Sequence, residues 1–245
     1  MVSHDATYPP LDILKPVAEG VWIVDSGPFN ALGVPLPVRM TIVRLDNGDL
    51  WLHSPTPYSA DLHAALEPVG RVRHLIGPNI GHWSFLQDWQ GHCETAVTWG
   101  APGLASRRPV RTSGLKLDKI LGAEPPADWS GQIDQVVISG AAGFNEVAFL
   151  HRATRTMILT DIVQNIEAPK LPFLMRPIAR MLGIVAPKGR APLYLRAIVK
   201  AKHRQASRAA KALVELAPER VIFSHGRWFE KDGTVALRAS LDWLL

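Results

Sequence analysis

The chain has 245 residues, of which 47% are hydrophobic and 20% charged, and this composition excludes a disordered or fibrous protein. Its single cysteine, Cys93, excludes an internal disulfide and suits a reducing compartment. No apolar run reaches the roughly 18 residues of a membrane span. Residues 1–10 lack the basic start and apolar run of a secretory signal, so we expect a cytoplasmic protein.

The net charge of +5 is concentrated in one segment. Residues 170–211 contain 11 lysines and arginines and no acidic residue, whereas the rest of the chain has 16 basic and 22 acidic residues. Local positive charge favours an anionic partner such as phosphate, nucleic acid or a lipid surface. No recognised nucleic-acid module is present. We therefore expect a small anionic ligand and no nucleic acid, with membrane-surface contact through 170–211 as a second interpretation.

The first half of the chain is dominated by runs typical of strands. Runs rich in β-branched and aromatic residues predict strands at 20–24, 38–45, 49–53, 72–76 and 95–99. Asn47-Gly48 predicts a tight hairpin turn, because this pair tolerates positive φ at low cost. Helices are predicted from a Ser59 cap to about 67 and around 85–89. Residues 27–37, rich in glycine and proline, are expected to form a loop.

The second half mixes strands with helices. Strands are predicted at 135–139, 146–151, 156–160 and 220–224, and helices at 173–182, 193–216 and 237–245. Residues 107–129 are expected to form a loop. We expect a single domain over 1–245 with a basic helical insertion at about 168–216. Prolines should break this insertion into short pieces, and both of its ends lead towards the candidate site, so it is expected to cover the cleft.

Three predicted strands end close to a residue suited to metal binding or acid–base chemistry. The strand at 72–76 leads through a Gly-Pro turn to His82, the hairpin strand ends at Asp161, and the last strand ends at His225. In open α/β sheets, functional groups collect beyond the carboxyl ends of strands. Imidazole and carboxylate are common ligands of divalent metals. We therefore expect the three residues to share one site.

Each candidate also has a purely structural interpretation. Asp161 suits a turn in which its carboxylate accepts from the following backbone amides. His225 suits an imidazole bonded to a carbonyl, and His82 a half-buried loop histidine. Asn79 is a candidate donor to a substrate oxyanion, with local hydrogen bonds that stabilise its turn as the alternative.

The order of these elements resembles the metallo-β-lactamase superfamily. The resemblance is carried by a hairpin ending Asn-Gly-Asp-Leu-Trp-Leu-His-Ser-Pro at 47–55, a hairpin at 146–161 that ends in an aspartate, and a last strand at 221–226 that ends in a histidine. It covers about 20–245 and implies a mixed α/β, four-layer αββα sandwich. The match is to an uncharacterised branch with a Pro-Asn-x-x-His loop at 78–82, where the enzymes carry H-x-H-x-D-H.

This departure from the superfamily's metal motif implies a reduced site. Aligning Asn79 with the first histidine of the motif places glycine, tryptophan and serine at its other ligand positions, and no histidine lies near 140–144. The resemblance then implies at most one divalent metal (zinc, iron or manganese), held by His82, Asp161 and His225 with an open position for water, or none.

Two functions follow from this reduced site. The first is a hydrolase that activates water, with Asp161, His225 and Asn79 as its catalytic residues, against an ester, thioester, amide or phosphoester. The second is a non-catalytic protein that has lost the metal centre and binds a ligand or partner through the same cleft.

Overall fold

Two mixed β-sheets pack face to face, and helices cover the outer face of each. The computed structural model describes residues 6–31, 34–187 and 189–245. Its strands are β1 (Lys15–Ala18), β2 (Val21–Ala31), β3 (Val34–Arg44), β4 (Asp49–His53), β5 (Arg71–Gly77), β6 (Val97–Gly100), β7 (Lys119–Ile120), β8 (Ile133–Ser139), β9 (Asn145–His151), β10 (Thr156–Ile158) and β11 (Arg220–Ile222). Its α-helices are α1 (Ala60–Leu66), α2 (Leu86–His92), α3 (Arg108–Ser113), α4 (Arg176–Leu182), α5 (Leu193–Lys200), α6 (His203–Glu215) and α7 (Gly233–Ser240).

The sheet topology combines hairpins with parallel crossovers. In the first sheet the strands follow chain order from β1 to β7; β1 to β4 pair antiparallel, and β4 to β7 pair parallel. The second sheet has the order β11-β10-β9-β8, with β10 and β11 parallel. The parallel pairs place several carboxyl strand ends at one edge of the sandwich. This architecture confirms the predicted αββα fold.

Alternation along the strands separates the three apolar layers of the core. Leu50 and Leu52 on β4 face α1 and α2, while Trp51 between them faces the other sheet. There its ring centroid lies 4.9 Å from that of Phe149 on β9. Helices α5, α6 and α7 cover the outer face of the second sheet through apolar residues such as Leu195. The period-two pattern of strands, buried on both faces, produces this layering.

The glycine- and proline-rich stretch at 27–37 was wrongly predicted to be a loop. It continues the β2–β3 hairpin to Ala31 and Val34, with a bulge between Ser26 and Phe29. Pro28 lies in this bulge, and the other two prolines lie on β3, which pairs with β4 only from Thr41 onward. Since β1 likewise pairs only with the start of β2, the outer edges of both strands are unpaired at this end among the described residues, and a missing N–H costs little there.

Two other local predictions are corrected. Residues 107–129 contain α3 and the short strand β7, rather than loop alone. The helix predicted over 193–216 is divided into α5 and α6, because Lys202 leaves the helical region with φ −114° and ψ 40°. The division lets each helix turn its own apolar side towards the second sheet.

The basic segment forms short helical pieces, as predicted, and occupies two places. Helices α5 and α6 lie on the second sheet. Helix α4 instead packs through Ala179 against Leu171, Ile184 and Leu36. Within the described residues, no helix has the length and apolar character needed to cross a bilayer.

Three buried histidines outside the candidate site, His53, His74 and His151, are expected to make stability depend on pH. Burial lowers the pKa of each of them, so the unfolded chain binds more protons than the folded chain as the pH falls below the ordinary value near 6.5. Their contribution is therefore present above that pH and lost below it, by at most about 1.4 kcal/mol per pH unit for each histidine.

When the pH is lowered from 7.5 to 5.5, we expect the free energy of unfolding to fall less in His74→Gln than in the wild type. Urea unfolding at both pH values measures this difference. Glutamine retains an acceptor for Trp99 Nε1, which lies 3.3 Å from His74 Nδ1. Equal pH slopes in the two proteins would contradict this assignment.

Candidate metal centre

Three loops at one edge of the sandwich carry the candidate ligands. His82 follows β5, Asp161 follows β10 and His225 follows β11. The turn after β5 begins at Gly77, where an added Cβ would lie 2.9 Å from Leu86 Cδ1. A larger residue at this position would require the side chain of Leu86 to shift, so glycine allows the strand end to approach α2 closely.

The structure brings all three side chains together. His82 Nε2 lies 3.3 Å from Asp161 Oδ2, and His225 Nε2 lies 3.4 Å from Asp161 Oδ1. One ligand atom from each residue lies within 4.8 Å of the others, and these residues are the one such potential metal-binding group in the described chain. The Asp161 side chain is 21% exposed, so it is accessible from outside the core.

The outer nitrogens of both histidines are already engaged. His225 Nδ1 lies 2.7 Å from the carbonyl oxygen of Pro37, and His82 Nδ1 lies 2.7 Å from Ser54 Oγ. A carbonyl only accepts hydrogen bonds, so Nδ1 of His225 carries a proton and Nε2 directs a lone pair towards Asp161 in the neutral ring. Two lone pairs 3.4 Å apart repel unless a proton or a metal ion lies between them. The arrangement thus suits a cation.

The opposite charges of the histidines and Asp161 stabilise each other, and this attraction outweighs the cost of burying them. Burial disfavours the charged form of His82, but the carboxylate of Asp161 outweighs this and raises its pKa. Burial also opposes charge on Asp161, yet His82 and His225 hold the pKa of Asp161 well below its ordinary value. Asp161 is therefore an anionic ligand at neutral pH, as metal binding requires.

Asn79 is buried beside the site, and its contacts fit the structural interpretation, in which its hydrogen bonds stabilise the turn; its catalytic role stays a prediction. It is fully buried, and its Nδ2 lies within 3.2 Å of acceptors on Glu146, Thr160 and Asp161. Its Oδ1 accepts from the backbone amides of residue 81, at 2.7 Å, and His82, at 2.9 Å. Both ends of the amide are occupied, so Asn79 fixes the loop that presents His82.

Glu146 is a site residue that the sequence did not indicate. This fully buried carboxylate accepts from the backbone amides of Thr160, Asp161 and Ile162 at 2.8, 2.9 and 3.2 Å. Burial and the nearby charge of Asp161 raise its pKa. It orients the turn that carries Asp161. The only signal in the sequence is an acidic residue directly before the apolar run 147–150.

The His225 loop is held by a buried arginine. Arg39 Nη1 donates to the carbonyl oxygens of Phe223 and Gly226 at 2.9 and 2.8 Å, and its Nη2 lies 2.6 Å from Asp25 Oδ1. Gly226 has φ +99°, and an added Cβ would lie 2.3 Å from the backbone of Asn165. The turn after His225 therefore requires glycine and depends on Arg39 for its carbonyl hydrogen bonds.

A cavity of about 190 Å³ opens beside the cluster. Its polar lining is Ser54, Ser84, Gln164 and the three candidate ligands. Its larger apolar lining is Phe29, Leu36, Val38, Pro55, Trp83, Phe85 and Tyr194. Gln164 Nε2 donates to Asp161 Oδ1 at 3.1 Å. The described lining contains no lysine or arginine, so the cavity is apolar with one ionic corner. Among the described residues of the basic segment, Tyr194 alone lines the cavity, so the expected covering role is seen there for this residue.

The sequence matches a known family of uncharacterised function over most of its length. The family model, described as "Domain of unknown function (DUF4336)", matches residues 19–211. Among the curated proteins, none matches this chain closely enough to count as a relative.

Solved structures with a similar fold are metallo-β-lactamases. One from Pontibacter korlensis has a TM-score of 0.64 and 13% identity, covering 95% of this chain and 98% of that protein. Another from Hirschia baltica has a TM-score of 0.62 and 13% identity, covering 95% and 97%. A third from Erythrobacter litoralis has a TM-score of 0.64 and 13% identity, covering 94% and 95%. At this identity the similarity establishes the fold alone.

Proposed function

The chain belongs to the DUF4336 family and has the metallo-β-lactamase fold, and we propose that it is a hydrolase that uses one divalent metal ion. The ion would be held by His82, Asp161 and His225. The observation that carries this proposal is the convergence of their three ligand atoms within 4.8 Å, with the outer nitrogen of each histidine already occupied.

The donor set fits a single divalent ion. Two imidazole nitrogens and one carboxylate oxygen are the three protein ligands typical of catalytic zinc, and this type of site leaves a position open to solvent. Ser54 and Pro37 act on the second nitrogens, which fixes ring orientation in the manner of outer-shell partners. When bound, such an ion acts as a Lewis acid and lowers the pKa of water.

The chain's own residues supply position and environment. Asn79 and Glu146 hold the two loops that present His82 and Asp161. Gln164 donates to Asp161 and so orients the carboxylate. Apolar side chains on the cavity wall exclude water from the part of a substrate next to the ionic corner, which strengthens electrostatic interactions there.

The cavity lining supports an uncharged substrate group. Without a lysine or arginine among its described residues, the cavity offers a carboxylate or phosphate no lysine or arginine partner there, and the proposed metal would be its main positive charge. We propose an ester or thioester with an apolar acyl group, packed against Phe29, Phe85 and Tyr194. The anionic ligand expected from the basic segment stays a prediction, and it concerns the outer surface and not the cavity wall.

Metal binding is the test of this function. We expect about one zinc or manganese ion per chain in protein dialysed against either metal, and titration calorimetry should show that Asp161→Asn and His225→Gln each weaken binding at least about 100-fold. Ser54→Ala, which frees His82 Nδ1, should weaken it about 10- to 100-fold. His92→Gln, an exposed histidine outside the cluster, is the matched control and should bind normally.

Activity completes the test. Chelation should abolish hydrolysis of neutral short-chain nitrophenyl esters, and restoring the metal should return it. Two tightly bound ions per chain would refute the single-metal site. Absence of both metal binding and hydrolysis would instead favour the non-catalytic alternative, a protein that binds its ligand through the same cavity.

A further inference from the structure

Exposed apolar side chains are concentrated in the segment 173–194. Of the eleven large hydrophobic residues exposed in the described part of the chain, six lie between 173 and 194: Phe173, Leu174, Ile178, Met181, Leu193 and Tyr194. Phe173 is 72% exposed and Leu174 is 82% exposed. Single exposed hydrophobic residues need no explanation, but such a concentration marks an interaction surface.

The geometry of α4 makes this concentration a continuous face. Leu174, Ile178 and Met181 recur at intervals of four and three, so they lie on one side of the helical segment. The opposite side carries Ala179, which packs with Leu171, Ile184 and Leu36. One side of α4 therefore anchors it to the protein, while the other presents large apolar groups outward.

The charge of the chain segment that carries this face selects the partner. No acidic residue lies between Glu167 and Glu215, whereas ten lysines and arginines of that stretch lie in the described residues. Arg180 is exposed on α4 itself. An apolar face flanked by basic residues is the pattern of helices that lie in the interface of membranes containing anionic lipids.

The same face adjoins the candidate site. Leu36 packs against the inner side of α4 and also lines the cavity. Tyr194, which is 64% exposed, lines the cavity as well. A surface that receives the apolar face would therefore lie next to the cavity entrance.

We propose that Phe173, Leu174, Ile178, Met181, Leu193 and Tyr194 form a docking face for a bilayer that contains anionic phospholipids. The apolar side chains enter the boundary between headgroups and acyl chains, and the basic residues contact the phosphates. This proposal does not depend on the metal centre or on catalysis, so it can be tested in the metal-free protein.

Vesicle binding tests the proposal directly. The full chain should sediment with phosphatidylcholine vesicles that contain phosphatidylglycerol, and much less with phosphatidylcholine alone or at high salt. The double variant Phe173→Ser/Leu174→Ser should reduce partitioning at least about tenfold. Arg180→Gln should reduce it about fivefold, the effect expected for one basic residue near an anionic surface.

Matched substitutions elsewhere provide controls. Ile120→Ser/Val235→Ser removes hydrophobic residues that are 50% and 71% exposed outside the face, and Arg238→Gln removes an exposed charge on α7. Both should leave partitioning unchanged. Equal losses in the control variants, or no difference between anionic and neutral vesicles, would overturn the proposal.

A fluorescent label distinguishes insertion from mere attraction. Since Cys93 is the only cysteine, Leu174→Cys in a Cys93→Ala background can carry an environment-sensitive dye at one position. Its emission should shift to the blue on addition of anionic vesicles, whereas a label at Val235→Cys should not respond. If the wild type is instead a dimer without vesicles and Phe173→Ser/Leu174→Ser makes it monomeric, the face is an interface between copies and the membrane proposal is wrong.

Discussion

Replacing Arg39 with methionine is expected to lower the free energy of unfolding by about 3–5 kcal/mol, the cost typical of breaking a buried ion pair from one side. Arg39 is 3% exposed. Its loss leaves Asp25 with Lys15 as its remaining ionic partner and removes the donor to the carbonyl oxygens of Phe223 and Gly226. An unpaired buried group costs its full desolvation energy, so we expect a loss in the upper part of this range.

Urea unfolding of Arg39→Met measures the loss of stability. Metal titration of the folded protein measures whether the substitution also weakens metal binding at His225. Because Arg39 holds both sides of the turn that follows His225, we also expect weaker metal binding. Arg39→Lys keeps the charge but loses the planar fork that contacts the carboxylate and carbonyls together, so it should recover only part of the stability. Arg152→Met, which breaks an exposed pair with Asp134, should remain near the wild type. Similar stability of Arg39→Met and the wild type would show that the pair is dispensable.

The fold could be predicted because its signals are local. The Asn47-Gly48 turn and the alternation of apolar residues depend on neighbours in sequence, and they appear in the structure where the sequence indicated them. The failure at 27–37 has the opposite origin. Glycine and proline usually end a strand, but here the pairing between β2 and β3 overrides this local preference, because the outer edges of both strands are unpaired at that end among the described residues.

The candidate site was only partly accessible to sequence reasoning. His82, Asp161 and His225 follow strands, so their common position could be inferred from chain order. Glu146 and Arg39 could not be recognised, because their roles depend on partners that lie 14 or more residues away, at backbone atoms that any residue carries. The sequence predicts the candidate ligands, whereas the residues that position them, Glu146 and Arg39, can be recognised only in the three-dimensional structure.

The two proposals explain different halves of the charge distribution. The cavity wall is mainly apolar, and its charged groups among the described residues are the three candidate ligands, whereas the basic residues are concentrated in the segment 170–211. A small anionic ligand in the cavity would leave that surface charge unexplained. Anionic headgroups at the basic segment and an apolar acyl group in the cavity would account for both the surface charge and the apolar wall. Leu36 and Tyr194 connect the two regions, since both line the cavity and lie beside or within the proposed docking face.

Replacing Glu146 with glutamine is expected to lower the free energy of unfolding by about 2–4 kcal/mol, even though the two side chains have nearly the same shape. All four groups within hydrogen-bond distance of the carboxylate are donors: the backbone amides of Thr160, Asp161 and Ile162 and the side-chain amide of Asn79. A glutamine would direct its own N–H groups against some of them, leaving buried donors unsatisfied at about 1–3 kcal/mol each. Since burial raises the pKa of Glu146, its charge has a cost that the variant avoids, which keeps the net loss below the full sum.

Glu146→Gln is also expected to weaken metal binding. The carboxylate fixes the turn at Thr160 to Ile162, so its loss should allow Asp161 to leave its position between His82 and His225 and weaken metal binding about 10- to 100-fold. Urea unfolding and metal titration of the same variant measure both quantities. Glu94→Gln, at an exposed position, is the control and should change stability by less than about 0.5 kcal/mol. If Glu146→Gln matches the wild type in both measurements, another acceptor satisfies these donors, and Glu146 does not position Asp161.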